Sequence, residues 1–148
     1  MPLVTIVATD PSASEVGSDT GTFRVTRTGS TTNALTVNYI VGSGTGQASS
    51  SDYTPALSGV ATIAAGQAFV DLTITPVDDN HIEGAETVVL VLGDTGSYDV
   101  GSPATATVTI ADNPDVPPGV PALPPLALVF CMLGIARTGW RSLSRRSA

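Results

Sequence analysis

Ala68-Phe-Val-Asp-Leu-Thr-Ile-Thr-Pro-Val77 alternates along its length, with Val70, Leu72 and Ile74 on one side and Asp71, Thr73 and Thr75 on the other. A period of two over such a run belongs to a half-buried β-strand, because successive side chains leave the backbone on opposite faces. Working towards the N-terminus, strand-like runs recur at 59–64, at 34–42 (Leu35, Val37, Tyr39 and Val41 together), at 20–28 (Phe23 and Val25 opposite Arg24) and at 3–9. Towards the C-terminus the same reading holds at 86–93, where Val88, Leu90 and Leu92 form the inward set and Val89 and Val91 partly cover the second face. It holds again at 105–111, with Ala106, Val108 and Ile110 facing in. Pro11 to Ser18, Thr28-Gly29-Ser30, the Gly/Ser/Thr loop 42–51, Gly66 and the polar loop 78–85 supply the intervening turns. Seven strands with a turn every 8–15 residues and no helical periodicity predict an all-β fold of two packed antiparallel sheets. A closed barrel is the alternative. Phe23, Tyr39 and Phe69 are candidates for the core or the space between sheets, and Tyr53 for a packing anchor.

Composition agrees with strands. Of 148 residues 15 are Gly and 11 Pro, Lys is absent, and aromatics make up 5%, so Val, Ile, Leu and Ala must build the core. Charge is distributed unevenly. All 13 acids lie between Asp10 and Asp115, a span whose only basic residues are Arg24 and Arg27, for a net charge of −11. So acidic a domain repels phosphate backbones, which excludes nucleic acid and favours cations as partners. The single cysteine, Cys131, allows neither a disulfide framework nor a thiolate metal site. One histidine, His81, leaves no Ser/His/Asp arrangement, and no nucleotide-binding loop is present, so the chain reads as a non-enzyme.

The densest chemistry is Asp78-Asp-Asn-His-Ile-Glu-Gly-Ala-Glu86, with carboxylates at Asp78, Asp79, Glu83 and Glu86. Calcium takes six to eight oxygen ligands, and acids on loops supply them. Anions held this close cost free energy unless a cation compensates. If the strands simply alternate in direction, Glu15, Asp52, Asp78 and Asp112 each follow an odd-numbered strand and gather at one pole. The competing reading is a set of solvated loop acids. His81 reads as an exposed loop residue before it reads as a ligand.

Taken in order, Thr20-Gly-Thr-Phe-Arg-Val-Thr-Arg-Thr-Gly29, Leu35-Thr-Val-Asn-Tyr39, Ser51-Asp-Tyr-Thr54, Ala61-Thr-Ile-Ala-Ala-Gly-Gln67, Ile74-Thr-Pro-Val-Asp-Asp79, Glu83-Gly-Ala-Glu-Thr87 and Ala106-Thr-Val-Thr-Ile-Ala-Asp112 resemble a Calx-beta domain across roughly residues 3–112. The resemblance implies an immunoglobulin-like sandwich with calcium at one pole. By the same resemblance the metal ligands are Glu15, Asp52, Asp78, Asp79, Glu83, Glu86, Asp112 and Asp115, with Ca2+ as the cofactor. Asn113 and Pro114 interrupt the last acidic run, which weakens one ion site.

The expected organisation is a sandwich over 1–112, a proline-rich linker over 113–125, and a hydrophobic tail over 126–148. A helix from Pro124 to Trp140 would reach about 25 Å. Val120-Pro-Ala-Leu-Pro-Pro125, the apolar run Leu126 to Ala136 and the arginines from Arg137 to Arg146 resemble a bacterial protein-sorting signal, which implies a transmembrane helix and membrane attachment through the C-terminus. No signal peptide precedes the first strand, so the sequence reads as a fragment of a larger exported protein, with a cytoplasmic domain as the competing reading. The expected function is a calcium-rigidified adhesion or matrix module at a bacterial cell surface. Its expected partners are neighbouring domains of the same type, surface proteins or glycans. A calcium-independent spacer and a non-catalytic appendage of a truncated enzyme are the alternatives.

Overall fold

Alternating Val, Ile and Thr residues extend into ten strands in a computed structural model, which describes residues 1–79 and 83–113. The strands are β1 (Leu3–Asp10), β2 (Ser12–Ser14), β3 (Gly21–Arg27), β4 (Leu35–Val41), β5 (Tyr53–Thr54), β6 (Val60–Ile63), β7 (Phe69–Pro76), β8 (Glu86–Leu92), β9 (Asp99–Val100) and β10 (Thr105–Ala111). A 3-10 turn covers Val16–Ser18. The first sheet runs β5-β7-β3-β1-β9 and the second β2-β10-β8-β4-β6. Pairing is antiparallel except at two edges, where β9 runs parallel to β1 and β2 parallel to β10. Two separate sheets make an immunoglobulin-like sandwich and exclude the closed barrel.

Seven of these strands match the seven read from alternation. The three others, β2, β5 and β9, are two or three residues long, too short for a period to register. They matter because they are edges, and β2 carries the chain from the first sheet to the second.

Both inner faces meet in one core. Val4, Ile6, Phe23, Val25 and Ile74 come from the first sheet, and Val37, Val88, Leu90, Val108 and Ile110 from the second, each nearly or wholly buried. Burying a side chain of this size contributes about 1.5–3 kcal/mol. Close approach within this core requires glycine at Gly21, where an added Cβ would lie 2.4 Å from Val108 Cγ1.

Two polar side chains pin the end of the sandwich where β3, β6 and β8 finish. Arg27, 5% exposed, donates to the carbonyl oxygens of Asn33 (2.7 Å), Thr31 (3.1 Å), Ala64 (3.2 Å) and Gln67 (2.8 and 3.0 Å). Its positive charge is met by carbonyl dipoles of the β3–β4 and β6–β7 connections. Tyr98, fully buried, donates to Gly93 O and accepts from Asn38 N–H at 3.0 Å. Neither role was legible in the sequence.

Two expectations are corrected. Phe69 is not a core residue: it is 42% exposed, points outward from β7, and carries the Arg24 guanidinium 4.0 Å from its ring centroid. Phe69 stands one residue before Val70, the inward position, and alternation places the ring outside. The transmembrane helix is also corrected. Among the described residues no helix is long and apolar enough to cross a membrane. The uninterrupted apolar run Leu126 to Ala136 is itself shorter than the roughly 20 residues a span requires. The C-terminal helix, the sorting-type tail and the linker beyond Asn113 lie outside the described residues, as do His81 and Asp115.

Candidate metal centre

Strand register gathers the acids. β2 runs beside β10 with Ala111 opposite Ser14, and Glu15 N–H donates to Ala111 O at 3.1 Å, so Glu15 and Asp112 leave adjacent strand ends together. Glu86, the first residue of β8, stands opposite Ile110 of β10. Across the sandwich β5 pairs with the end of β7, and Val77 N–H donates to Asp52 O at 2.9 Å, which sets Asp52 beside the segment leading to Asp78 and Asp79. Five chain segments thus deliver Glu15, Asp52, Asp78, Asp79, Glu83, Glu86 and Asp112 to one pole. Asp115 lies outside the described residues.

Within this pole Asp52, Glu83 and Glu86 each offer a carboxylate oxygen within 4.8 Å of the others. Calcium–oxygen bonds are about 2.3–2.6 Å, so two oxygens on one ion lie at most about 5 Å apart, and this trio fits. Asp52 is held from behind. Its Oδ2 accepts from Ser49 N–H at 2.5 Å, and its Oδ1 accepts from the Ser49 and Ser51 hydroxyls, each at 3.1 Å. Burial works to raise its pKa, but the hydrogen bonds from Ser49, Ser51 and the Glu86 side chain outweigh it and hold the carboxyl below the usual range. Glu86 moves the other way, raised by burial and by the charges of Asp52 and Glu83.

Glu15 lies deeper, 7% exposed, and accepts from Asn113 N–H at 3.3 Å. Burial raises its pKa, the Asn113 bond partly offsets this, and the charges of Asp112, Asp79 and Asp78 raise it further. Asp112 organises the neighbouring loop. Its Oδ2 accepts from Glu83 N–H at 3.1 Å and Gly84 N–H at 2.8 Å, with Gly84 at a φ of 77° that favours glycine. Its other oxygen, Oδ1, is buried with no hydrogen-bond partner among the described residues. Asn113 Nδ2 donates to Asp78 Oδ1 at 3.3 Å, so the residue that interrupts the last acidic run also ties two of these segments together.

A buried carboxylate oxygen without a donor costs of order 1–3 kcal/mol or more, and a hard cation would supply the missing charge. All donors here are oxygens, which suits calcium or magnesium better than zinc. The residues present therefore fit a calcium ion. Sequence reasoning had missed Ser49 and Ser51, which orient Asp52. The run Ser49-Ser-Ser-Asp52 was the available signal, since hydroxyls just before an aspartate commonly close a local turn on it.

The family profile described as the Calx-beta domain matches residues 2–114. Among solved structures, the apo-form Calx CBD1 domain superposes with a TM-score of 0.57 at 21% identity, covering 74% of this chain and 97% of that one. The Calx CBD2 domain gives 0.54 at 14%, covering 76% and 87%. A structure titled as the calcium binding domain CBD12 of CALX1.1 gives 0.57 at 22%, with 73% of this chain covered but only 44% of that longer one. No curated protein sequence matches the chain.

Proposed function

The chain belongs to the Calx-beta domain family, and on that premise we propose that residues 1–112 form a calcium-binding module of an extracellular or cell-surface protein. Calx-beta domains are non-catalytic calcium-binding modules, and this chain is not an enzyme. The proposed ligands are Asp52, Glu83 and Glu86 for one ion, with Glu15, Asp78, Asp79 and Asp112 forming the adjoining part of the pole, and with Asp115 following from the resemblance alone. The observation that carries this reading is Asp112 Oδ1, buried without a partner among the described residues, beside the buried acid Glu15.

The ion's role is structural. It would join the ends of β2, β7 and β10 to the start of β8, segments otherwise pushed apart by their charges. Extracellular modules bind calcium with dissociation constants of about 10⁻⁴ to 10⁻³ M, which suits the millimolar calcium outside cells. A module stiffened in this way serves adhesion or matrix architecture, with neighbouring domains, surface proteins or glycans as its contacts. Calorimetric titration of the chelated protein with calcium, alongside thermal melts, tests the proposal. Saturable heat and a raised Tm, both lost in Asp112→Asn and Asp52→Ala, are the expected result. No heat and no shift at millimolar calcium would overturn it and leave a spacer domain whose acids are only surface charge.

A further inference from the structure

β4 pairs with β8 only through Tyr39, Ile40 and Val41, opposite Leu92, Val91 and Leu90, so the pole end of β8 has no regular strand on that side. The chain that follows β4 takes the place. Gly42 N–H donates to Val89 O at 2.8 Å, and Gln47 N–H donates to Gly44 O at 3.2 Å as the chain turns back. It then meets β8 again in a parallel bridge between Gln47 and Thr87. Thr87 N–H and the Thr87 hydroxyl both donate to Gly46 O, each at 3.0 Å, and Ala48 N–H donates to Thr87 O at 3.0 Å. Gly46 presents that carbonyl from a φ of 75°, which favours glycine. Thr87 thus anchors a strap, residues 42–51, to the second sheet.

The strap leads to Asp52. Ala48 is buried, and the next residue, Ser49, gives its N–H and its hydroxyl to the Asp52 carboxylate. Asp52 N–H donates back to Ser49 O at 3.3 Å, while Asp52 O accepts from Val77 N–H in the first sheet. The Asp52 backbone is therefore fixed to one sheet, and the orientation of its carboxylate is fixed by a strap that belongs to the other. Glu86, which offers an oxygen within 4.8 Å of those of Asp52 and Glu83, directly precedes Thr87. The strap that carries Asp52 and the strand that carries Glu86 meet at this one residue. Resting on the calcium reading above, we propose that Thr87 is a positioning residue of the metal centre, holding the strap so that Asp52 stands against Glu86 before the ion arrives.

Thr87 itself touches no ion. Alternation along β8 places it on the face opposite Glu86, beside Thr109 of β10. Its effect on binding is through preorganisation. Without metal, the charges of Asp52, Glu83 and Glu86 repel, and a strap free to lift would relieve them. Three bonds through Thr87 oppose that movement, so the ion meets oxygens already gathered and less ordering is left to be done on binding. Loss of one such bond corresponds to about two- to tenfold in affinity.

Calorimetric titration of the full chain with calcium, together with amide hydrogen exchange in chelator, tests this. Thr87→Val keeps the β-branched strand residue and the backbone bonds but removes the hydroxyl. It should raise the calcium Kd about two- to tenfold and speed exchange of the Ala48 amide in chelator, with the amides of the core strands unchanged. Thr87→Ser, which restores the hydroxyl, should return both values towards the parent. Gly46→Val, which strains the left-handed position and displaces the shared carbonyl, should weaken binding further. Thr105→Val, at the other end of the same sheet, should change neither reading. Parent-like Kd in Thr87→Val, no rescue by Thr87→Ser, or Ala48 exchange indifferent to the hydroxyl would each overturn the role of Thr87 alone. A parent chain that takes up no calcium would overturn the calcium module and this role with it, so the two failures are told apart by the parent titration.

Discussion

Replacing Glu15 by Gln separates a structural acid from a metal ligand, because the two roles give opposite signs. In the metal-free protein the Glu15 carboxylate is buried beside Asp112, Asp79 and Asp78, and its pKa is raised first by that burial and then by those charges. Glutamine keeps the shape and the acceptor for Asn113 N–H and removes the charge. Relief of burial and repulsion should stabilise the metal-free fold on the order of 1 kcal/mol. At roughly 2.1 cal/mol/K per residue over about 110 residues, 1 kcal/mol corresponds to about 4 °C in Tm. Calcium works the other way. At 5 mM, a site with a dissociation constant of about 10⁻³ to 10⁻⁴ M stabilises the parent by about 1–2.3 kcal/mol, or roughly 5–10 °C. Glu15→Gln should lose most of that increment. Differential scanning calorimetry in chelator and in calcium therefore should show the variant melting above the parent without metal and below or level with it when metal is present. A variant that melts lower in chelator and keeps the full calcium shift would refute the placement of Glu15 in the site.

Two further outcomes follow from the same groups and from the core. Glu15 and Glu86 have pKa values raised above the ordinary 4.5 in the fold, so in chelator stability should increase as pH falls through their folded values towards 4.5; Asp52 and Asp71 are held below 3.8, and the stability they give is present above that value and lost as pH falls further. Tm against pH in chelator should pass through a maximum at mildly acidic pH, whereas in calcium it should only fall with acid, since protons displace the ion. At Gly21, alanine would drive its methyl to 2.4 Å from Val108 Cγ1, so Gly21→Ala should cost about 1–3 kcal/mol in urea melts, and Val108→Ala should restore part of that loss when combined with it.

Alternation over 68–77 and its echoes made the long strands legible, because a two-residue period is imposed by the backbone and survives in any half-buried sheet. The acids were legible as a set because the polar loops between strands concentrate them, and strand direction assigns those loops to a common end. What escaped reading depends on partners far apart in sequence. Arg27 sits in a run that also holds Arg24, yet one guanidinium is buried among carbonyl oxygens and the other lies over Phe69. Position parity distinguishes them only once the inward face is known, and even then an inward arginine is read as an error in the pattern. Tyr98 lies between turn residues and pairs with Asn38, sixty residues away. β2 and β9 are strands only because β10 and β1 offer them an edge.

The two ends of the sandwich solve opposite electrostatic problems, and the difference shows where the proposed ion would act. At the end where β3, β6 and β8 finish, loop carbonyl oxygens converge, and Arg27 answers them with a cation built into the chain, while Tyr98 joins β4 to the end of β8. That end is complete when the protein folds. At the other end the converging groups are carboxylates, and the covalent answers are Ser49, Ser51, Asn113 and the backbone N–H groups of Glu83 and Gly84, all uncharged donors. They satisfy individual oxygens but leave the net charge in place, and Asp112 Oδ1 receives no hydrogen bond from the described residues. A second arginine there would have fixed the pole permanently. If the proposed dissociable ion supplies the countercharge, the core between Val4 and Ile110 does not depend on it, and the effect of calcium is confined to the loops of one pole. Calcium should therefore alter the stiffness of this domain at one end and not decide whether it folds.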